Sequence, residues 1–249
     1  MTTYSDTDDF QGATFFDLSM RGAAIRQADV RGMTMRGVFL DGLDVDSHDL
    51  AFGTLLVNGV DVVPLVEAEL DRRYPGRELR SAQTPEGLHE AWMAVQDAWA
   101  EMMASTPPER ADEHVRDEWS LAQTLRHLVL ATDTWLRKSI LDVDQPFHEI
   151  GQIFDGAEEA GFDCSIFRTG PIPYAEVLEV RAERQQMVTD FLAGVAPEQL
   201  AEERADPWGG PDGDWSPTVG DCVRVILEEE WAHLRYIQRD LALLSTARG

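Results

Sequence analysis

The helical character of this chain is clearest in residues 216–244, which read SPTVGDCVRVILEEEWAHLRYIQRDLALL. The large apolar residues of this stretch recur at the three- and four-residue spacing of an amphipathic α-helix, namely Val225, Ile226, Trp231, Ile237, Leu241 and Leu244. The helix is expected to begin at Ser216–Pro217, or at Thr218 with Asp221 three residues later. A helix of this length has an apolar face that must be buried against other elements.

Three further long helices are predicted upstream, together with a short one. Thr84–Pro85 is typical of a helix start, and Ser120 with Gln123 forms a capping box. The predicted spans are 84–103, 120–140 and 174–192 for the long helices, and 63–73 for the short one. These lengths predict a mainly α protein with a four-helix bundle over residues 84–249. Residues 51–83 form a linker with the short helix.

The first fifty residues follow a period of five. Every fifth residue is large and apolar, in the order Phe10, Phe15, Met20, Ile25, Val30, Met35, Leu40 and Val45. A period of five fits neither the 3.6 of a helix nor the 2 of a strand. It predicts a coil that turns one large apolar residue inward on each side.

This pattern resembles the pentapeptide-repeat family over about residues 10–47, and Ala28-Asp29-Val30 is its closest copy. The resemblance implies a short right-handed quadrilateral β-helix within residues 1–50. It allows two roles for this segment, as a structural or protein-interaction appendage, or as a DNA mimic that binds topoisomerase. The mixed charges of the segment disfavour the DNA mimic.

The overall charge excludes several classes of partner. The chain has 249 residues, with 46 acidic and 21 basic side chains, and a net charge of -25. So acidic a chain is not expected to bind nucleic acid or anionic membranes. No run of apolar residues is long enough for a membrane span, and no secretory signal is visible. A cytoplasmic location is therefore expected. Cys164 and Cys222 are too few for a disulfide framework.

Three side chains at helical positions suggest a metal site. Glu229 and His233 lie four residues apart and therefore share one face of the last helix. His127 of the second long helix is the natural third ligand. Two imidazoles and one carboxylate suit Zn²⁺ or a similar divalent ion and leave a position open. The alternative is structural: Glu229 pairs with Arg235 or Arg224, and His127 is an ordinary core histidine.

A second resemblance supports the metal site. Trp119-Ser120 followed by His127-Leu128, and the final Glu-Glu-Trp-x-His-x-x-Tyr-x-x-Arg-Asp-Leu of residues 229–241, resemble the DinB-like metal-binding four-helix bundles. Within that family the mycothiol-dependent maleylpyruvate isomerase branch uses His on the second helix and Glu-x-x-x-His on the last. The resemblance implies His127, Glu229 and His233 as ligands. It favours Zn²⁺, with Ni, Fe or Mn as alternatives, and mycothiol as a co-substrate.

The function implied by this resemblance is transfer or addition of a low-molecular-weight thiol to an electrophilic small molecule, or a related isomerisation or hydrolysis. The isomerase reaction itself is not expected, because that branch uses a further C-terminal domain that this sequence lacks. His148, in the long loop, is the candidate for proton transfer, or else an ordinary surface histidine. The alternative function is a non-enzymatic, stress-related or protein-interaction module. Family members often dimerise, so a homodimer is a further expectation.

Overall fold

The computed structural model describes residues 4, 10–26, 28–47, 50–116, 118–154, 157–158, 163–207 and 216–246. The chain divides into two compact units, Met1–Asp46 and Ser47–Gly249. The α-helices of the described residues all lie in the second unit. They are α1 Val63–Arg73, α2 Pro85–Ser105, α3 Leu121–Thr132, α4 Tyr174–Gly194 and α5 Val219–Thr246, and a π-helical segment, Asp133–Ile140, continues α3.

The helix starts follow from local hydrogen bonds, as predicted. The Thr84 hydroxyl accepts from the Gly87 N–H at the start of α2. Ser120 and Gln123 form the reciprocal capping box of α3. At α5 the cap is Thr218 rather than Ser216, because the Asp221 N–H donates to the Thr218 hydroxyl at 3.1 Å. Each cap satisfies N–H groups that have no partner within the helix.

The core of the second unit lies between the four long helices, where α2 and α3 each pack against both α4 and α5. Buried apolar side chains come from all four helices, as expected for a bundle. Among them are Trp92, Trp99, Leu125, Leu128, Val177, Val188, Ile226, Trp231 and Leu234. The mainly helical fold is thus confirmed. The strands of the described residues are β1 Leu56–Val57 and β2 Val60–Asp61, which pair as an antiparallel hairpin.

The first unit repeats a turn every ten residues. The backbone N–H of Ala13, Ala23, Met33 and Leu43 each donates to the carbonyl three residues earlier, at 2.9–3.0 Å. Gly12, Gly22, Gly32 and Gly42 have φ between 72° and 77° at the third residue of these turns. Such angles are those of type II turns, which require glycine-like freedom at this position. No strand occurs in residues 10–26 and 28–47, so the quadrilateral β-helix remains a prediction.

The predicted register of five is visible in side-chain exposure. The eight large residues from Phe10 to Val45 are 44–59% exposed, whereas Phe16 and Phe39, one residue out of register, are 89% and 103% exposed. The Phe10 and Phe15 ring centroids are 5.7 Å apart. The apolar side chains in register therefore lie on the better-covered side of the coil and remain half exposed.

The structure gives no sign of a membrane span. Every helix in the part of the chain that it describes is too short or too polar to cross a lipid bilayer. The cytoplasmic location stays a prediction.

Candidate metal centre

His127 is positioned by the start of α3. The capping box at Ser120 fixes the first turn of the helix. His127 follows Ser120 by seven residues, which is about two helical turns. Its imidazole lies against α5, where Nε2 is 3.3 Å from Oε2 of Glu229. Two elements that are remote in sequence therefore meet at this side chain.

Glu229 and His233 complete the group from one face of α5. The Glu229 carboxylate oxygen Oε2 is also 3.3 Å from Nδ1 of His233. One donor atom from each of His127, Glu229 and His233 lies within 4.8 Å of the other two. A carboxylate and two imidazoles at this separation form a possible site for a divalent ion. The Glu229 side chain is 32% exposed, so the group has a solvent side.

Backbone carbonyls hold both imidazoles in position. His127 Nδ1 lies 3.1 Å from the Gln152 carbonyl oxygen, and His233 Nδ1 lies 2.9 Å from the carbonyl oxygen of Glu229. A carbonyl only accepts, so Nδ1 is the protonated nitrogen in each ring. The neutral imidazoles then keep their lone pairs on Nε2. Such hydrogen bonds to the non-ligating nitrogen are typical of metal-bound histidines.

This tautomer makes the contact between His127 and Glu229 informative. The Nε2 lone pair and the carboxylate both carry negative electrostatic potential and are 3.3 Å apart. The contact is favourable only when a proton or a metal ion shares the space between them. The donor set therefore fits a divalent cation, by both the type and the orientation of its atoms.

Aromatic rings flank the two histidines. The Trp119 ring lies 4.8 Å from the His127 ring and is stacked on the His233 ring at 6.1 Å. Tyr236 meets His233 edge to face at 5.6 Å, and the guanidinium of Arg235 lies 4.6 Å from the Tyr236 ring. Trp119 therefore contacts both imidazoles, and Tyr236 contacts the imidazole of His233.

Burial keeps His233 neutral. Burial first, and then the positive charge that His127 can carry, lower the pKa of His233 to about 4, against the opposing effect of Glu229. His233 is therefore unprotonated at neutral pH. A neutral imidazole is the form that binds metal ions.

The depressed pKa of His233 predicts a pH-dependent stability for the metal-free protein. The imidazole pKa is 6.5 in the unfolded chain and about 4 in the folded one, so unfolded protein binds more protons between these values. Stability is therefore full above this window and is lost as pH falls through it, by up to about 3 kcal/mol. Urea unfolding in EDTA at about pH 7 and about pH 4.5 measures the loss.

Two variants control this measurement. His233→Asn removes the titrating group and is expected to lose less stability on acidification than the wild type. His89→Asn alters a half-buried histidine of α2 outside the metal centre and is expected to keep the wild-type loss. An equal loss in all three proteins contradicts the assignment.

The other residues singled out in the sequence lie elsewhere. His148 does not belong to the group of possible metal ligands formed by His127, Glu229 and His233. Its Nδ1 accepts a hydrogen bond from the Ile150 N–H at 3.3 Å. Its role in proton transfer stays a prediction. Arg224 binds Asp221 at 2.6 Å, which disfavours its pairing with Glu229, whereas the alternative pairing of Glu229 with Arg235 stays a prediction. Burial, reinforced by Asp221, raises the pKa of the Cys222 thiol to about 12, so Cys222 packs in the core and is not a thiolate.

Sequence patterns missed two parts of the site. The Gln152 carbonyl has no side-chain signature, because any residue of the loop offers a backbone oxygen. Tyr236 stands three residues after His233, a spacing that places both on one face of α5. That spacing is a weak signal for its contact with the imidazole.

Of the comparisons with known proteins, one found a match. The family model described as the DinB superfamily matches residues 88–237, which is more than half of the chain and includes all three candidate ligands. No curated protein and no solved structure matches the sequence. Because the match spans the bundle from α2 to α5, the chain belongs to the DinB superfamily.

Proposed function

We propose that this protein is a metal-dependent enzyme that holds a divalent ion, Zn²⁺ first among the candidates, through His127, Glu229 and His233. Its substrate is a low-molecular-weight thiol of the mycothiol type, which it transfers or adds to an electrophilic small molecule, or uses in a related isomerisation or hydrolysis. The observation that supports this proposal is the convergence of three donor atoms within 4.8 Å.

The ligand set suits this chemistry. A bound divalent ion supplies a Lewis acid that lowers the pKa of a thiol or water. The two neutral imidazoles and the single carboxylate of Glu229 leave one positive charge uncompensated, which favours an anionic thiolate as a further ligand. The partly exposed side of Glu229 is the approach for a small molecule, and the Trp119 ring packs against both imidazoles.

The first test is elemental analysis of tag-free protein after incubation with Zn²⁺ or Ni²⁺. We expect about one ion per chain. His233→Ala is expected to lose it, because even partners outside the ligand set change metal affinity by about 10- to 100-fold and a direct ligand by more. His89→Ala, on α2, is the control that should retain the metal. Wild-type protein that stays metal-free contradicts the proposal and leaves the non-enzymatic interaction module as the better reading.

The second test addresses the thiol. Metal-loaded wild type is mixed with mycothiol and an electrophile such as a chlorodinitroarene, and loss of free thiol is followed. Turnover that disappears in His233→Ala supports the proposed reaction. A stoichiometric metal without any thiol-dependent turnover contradicts thiol transfer while leaving metal binding intact.

A further inference from the structure

Arg126 is the residue before the candidate ligand His127 on α3. Its side chain is half buried, and its Nε donates to the carbonyl of Ile150 at 2.7 Å. No carboxylate of the described residues lies within ion-pair distance of its guanidinium. Among the described residues, the two terminal nitrogens of Arg126 therefore have no acidic partner, and the Nε hydrogen bond fixes the position of the guanidinium.

This situation is unusual in so acidic a chain, which has 46 acidic and 21 basic side chains. Several buried or half-buried arginines of the second unit contact at least one carboxylate, and they are Arg77, Arg80, Arg137, Arg181, Arg184 and Arg224. Burial of a guanidinium without an anion is unfavourable. An unpaired one therefore needs an explanation from function.

A second cation lies beside Arg126. Burial, and then the charge of Arg168, lower the pKa of Arg126. Arg168 reaches Glu149 and Glu176, at 3.1 Å and 2.7 Å, so its own charge is already compensated. An anion bound to the terminal nitrogens of Arg126 compensates the charge that burial disfavours, and Arg168, which is already paired, leaves that role open.

The same loop segment contacts Arg126 and the metal ligand. Ile150 accepts from Arg126, and Gln152 accepts from His127. The Cα atoms of Ile150 and Gln152 can be at most about 7 Å apart, since they are two residues apart in the chain. Arg126 and His127 are therefore held by two carbonyls that lie close together. A small molecule bound at the metal centre is long enough to place an acidic group against the Arg126 guanidinium.

We propose that Arg126 binds a carboxylate or phosphate group of the substrate that reacts at the metal centre. The part of this proposal that connects Arg126 with catalysis rests on the proposed function. The planar fork of arginine donates two parallel hydrogen bonds to one oxyanion, which suits both carboxylate and phosphate. The substrate class is accordingly an anionic small molecule.

The test uses the full-length, metal-free protein, and sodium phosphate and sodium acetate as probes in separate calorimetric titrations at constant ionic strength. Wild type is expected to bind one or both probes saturably, and the probe that binds more tightly indicates the class of acidic group.

Arg126→Gln is expected to weaken binding about tenfold or more, because a charge-assisted pair is lost. Arg126→Lys, which keeps the charge and the stem, should bind with intermediate affinity. Arg224→Gln, which removes an arginine of α5, should bind as wild type does.

The location is checked by NMR of the arginine Nε–H signals, in which the Arg126 signal is identified by its absence from Arg126→Lys. That signal should move saturably with the tighter probe. Absence of saturable binding to wild type overturns the inference, and so does binding that Arg126→Gln leaves unchanged. Anion binding by a protein that fails to bind metal leaves the Arg126 site standing and removes the proposed function. Metal binding without anion binding removes the Arg126 site and leaves the proposed function standing.

Discussion

Replacing Glu230 by leucine is expected to lower the free energy of unfolding by about 3–5 kcal/mol. Glu230 and Arg181 are 1% and 3% exposed and form an ion pair between α5 and α4 in the bundle core. Burial raises the pKa of Glu230, and Arg181 opposes this shift. The substitution leaves the Arg181 guanidinium buried without its carboxylate. Nε and Nη1 of Arg181 already have no hydrogen-bond partner among the described residues.

Urea unfolding followed by circular dichroism measures the loss for Glu230→Leu. The double variant Arg181→Met/Glu230→Leu removes both charges and is expected to recover most of the stability, because an apolar pair of similar volume has no desolvation penalty. Glu179→Gln, at an exposed position of α4, should stay within about 0.5 kcal/mol of wild type. A double variant as unstable as the sum of its single variants shows that packing, and not the unpaired charge, accounts for the loss.

Replacing Asp133 by alanine is expected to cost about 3–5 kcal/mol of stability as well. Asp133 is fully buried at the start of the π-helical segment. Its Oδ1 accepts from Arg184 Nε at 2.6 Å and from Arg137 Nη1 at 3.3 Å, and its Oδ2 accepts from the His148 N–H at 2.7 Å. Without the carboxylate, buried Arg184 loses the nearer of its two anions, and the loop at His148 loses one of its hydrogen bonds to the bundle.

The same substitution is expected to weaken metal binding. The loop held at His148 continues to Gln152, whose carbonyl orients His127. Loss of such an outer hydrogen bond reduces metal affinity by about 10- to 100-fold. Zinc titration of folded Asp133→Ala measures this effect apart from stability, and Asp144→Ala, at an exposed loop position, is the control. Unchanged zinc affinity in folded Asp133→Ala contradicts the link between the loop and the metal centre.

Sequence periodicity did not predict the π-helical segment. Residues 120–140 read as one amphipathic helix, but the structure changes from α to π at Asp133. Over two or three turns, the spacing of apolar residues is much the same whether each backbone N–H bonds to the carbonyl four residues earlier, as in an α-helix, or five residues earlier, as in a π-helix. The buried polar group at Asp133 also has no signal in a pattern that separates only apolar from polar positions. Its burial depends on Arg184 of another helix.

The sequence by itself determined where the long helices lie, the caps at Thr84 and Ser120, and the shared helix face of Glu229 and His233, since caps and helical faces depend on residues three or four apart. Only the tertiary structure decided that His127 meets Glu229 from 102 residues away and that the Gln152 carbonyl orients it from 25 residues away. It also decided which arginines contact a carboxylate, and that Arg126 contacts none among the described residues. Those contacts depend on how helix faces pack against one another, and no short-range spacing in the chain specifies that packing.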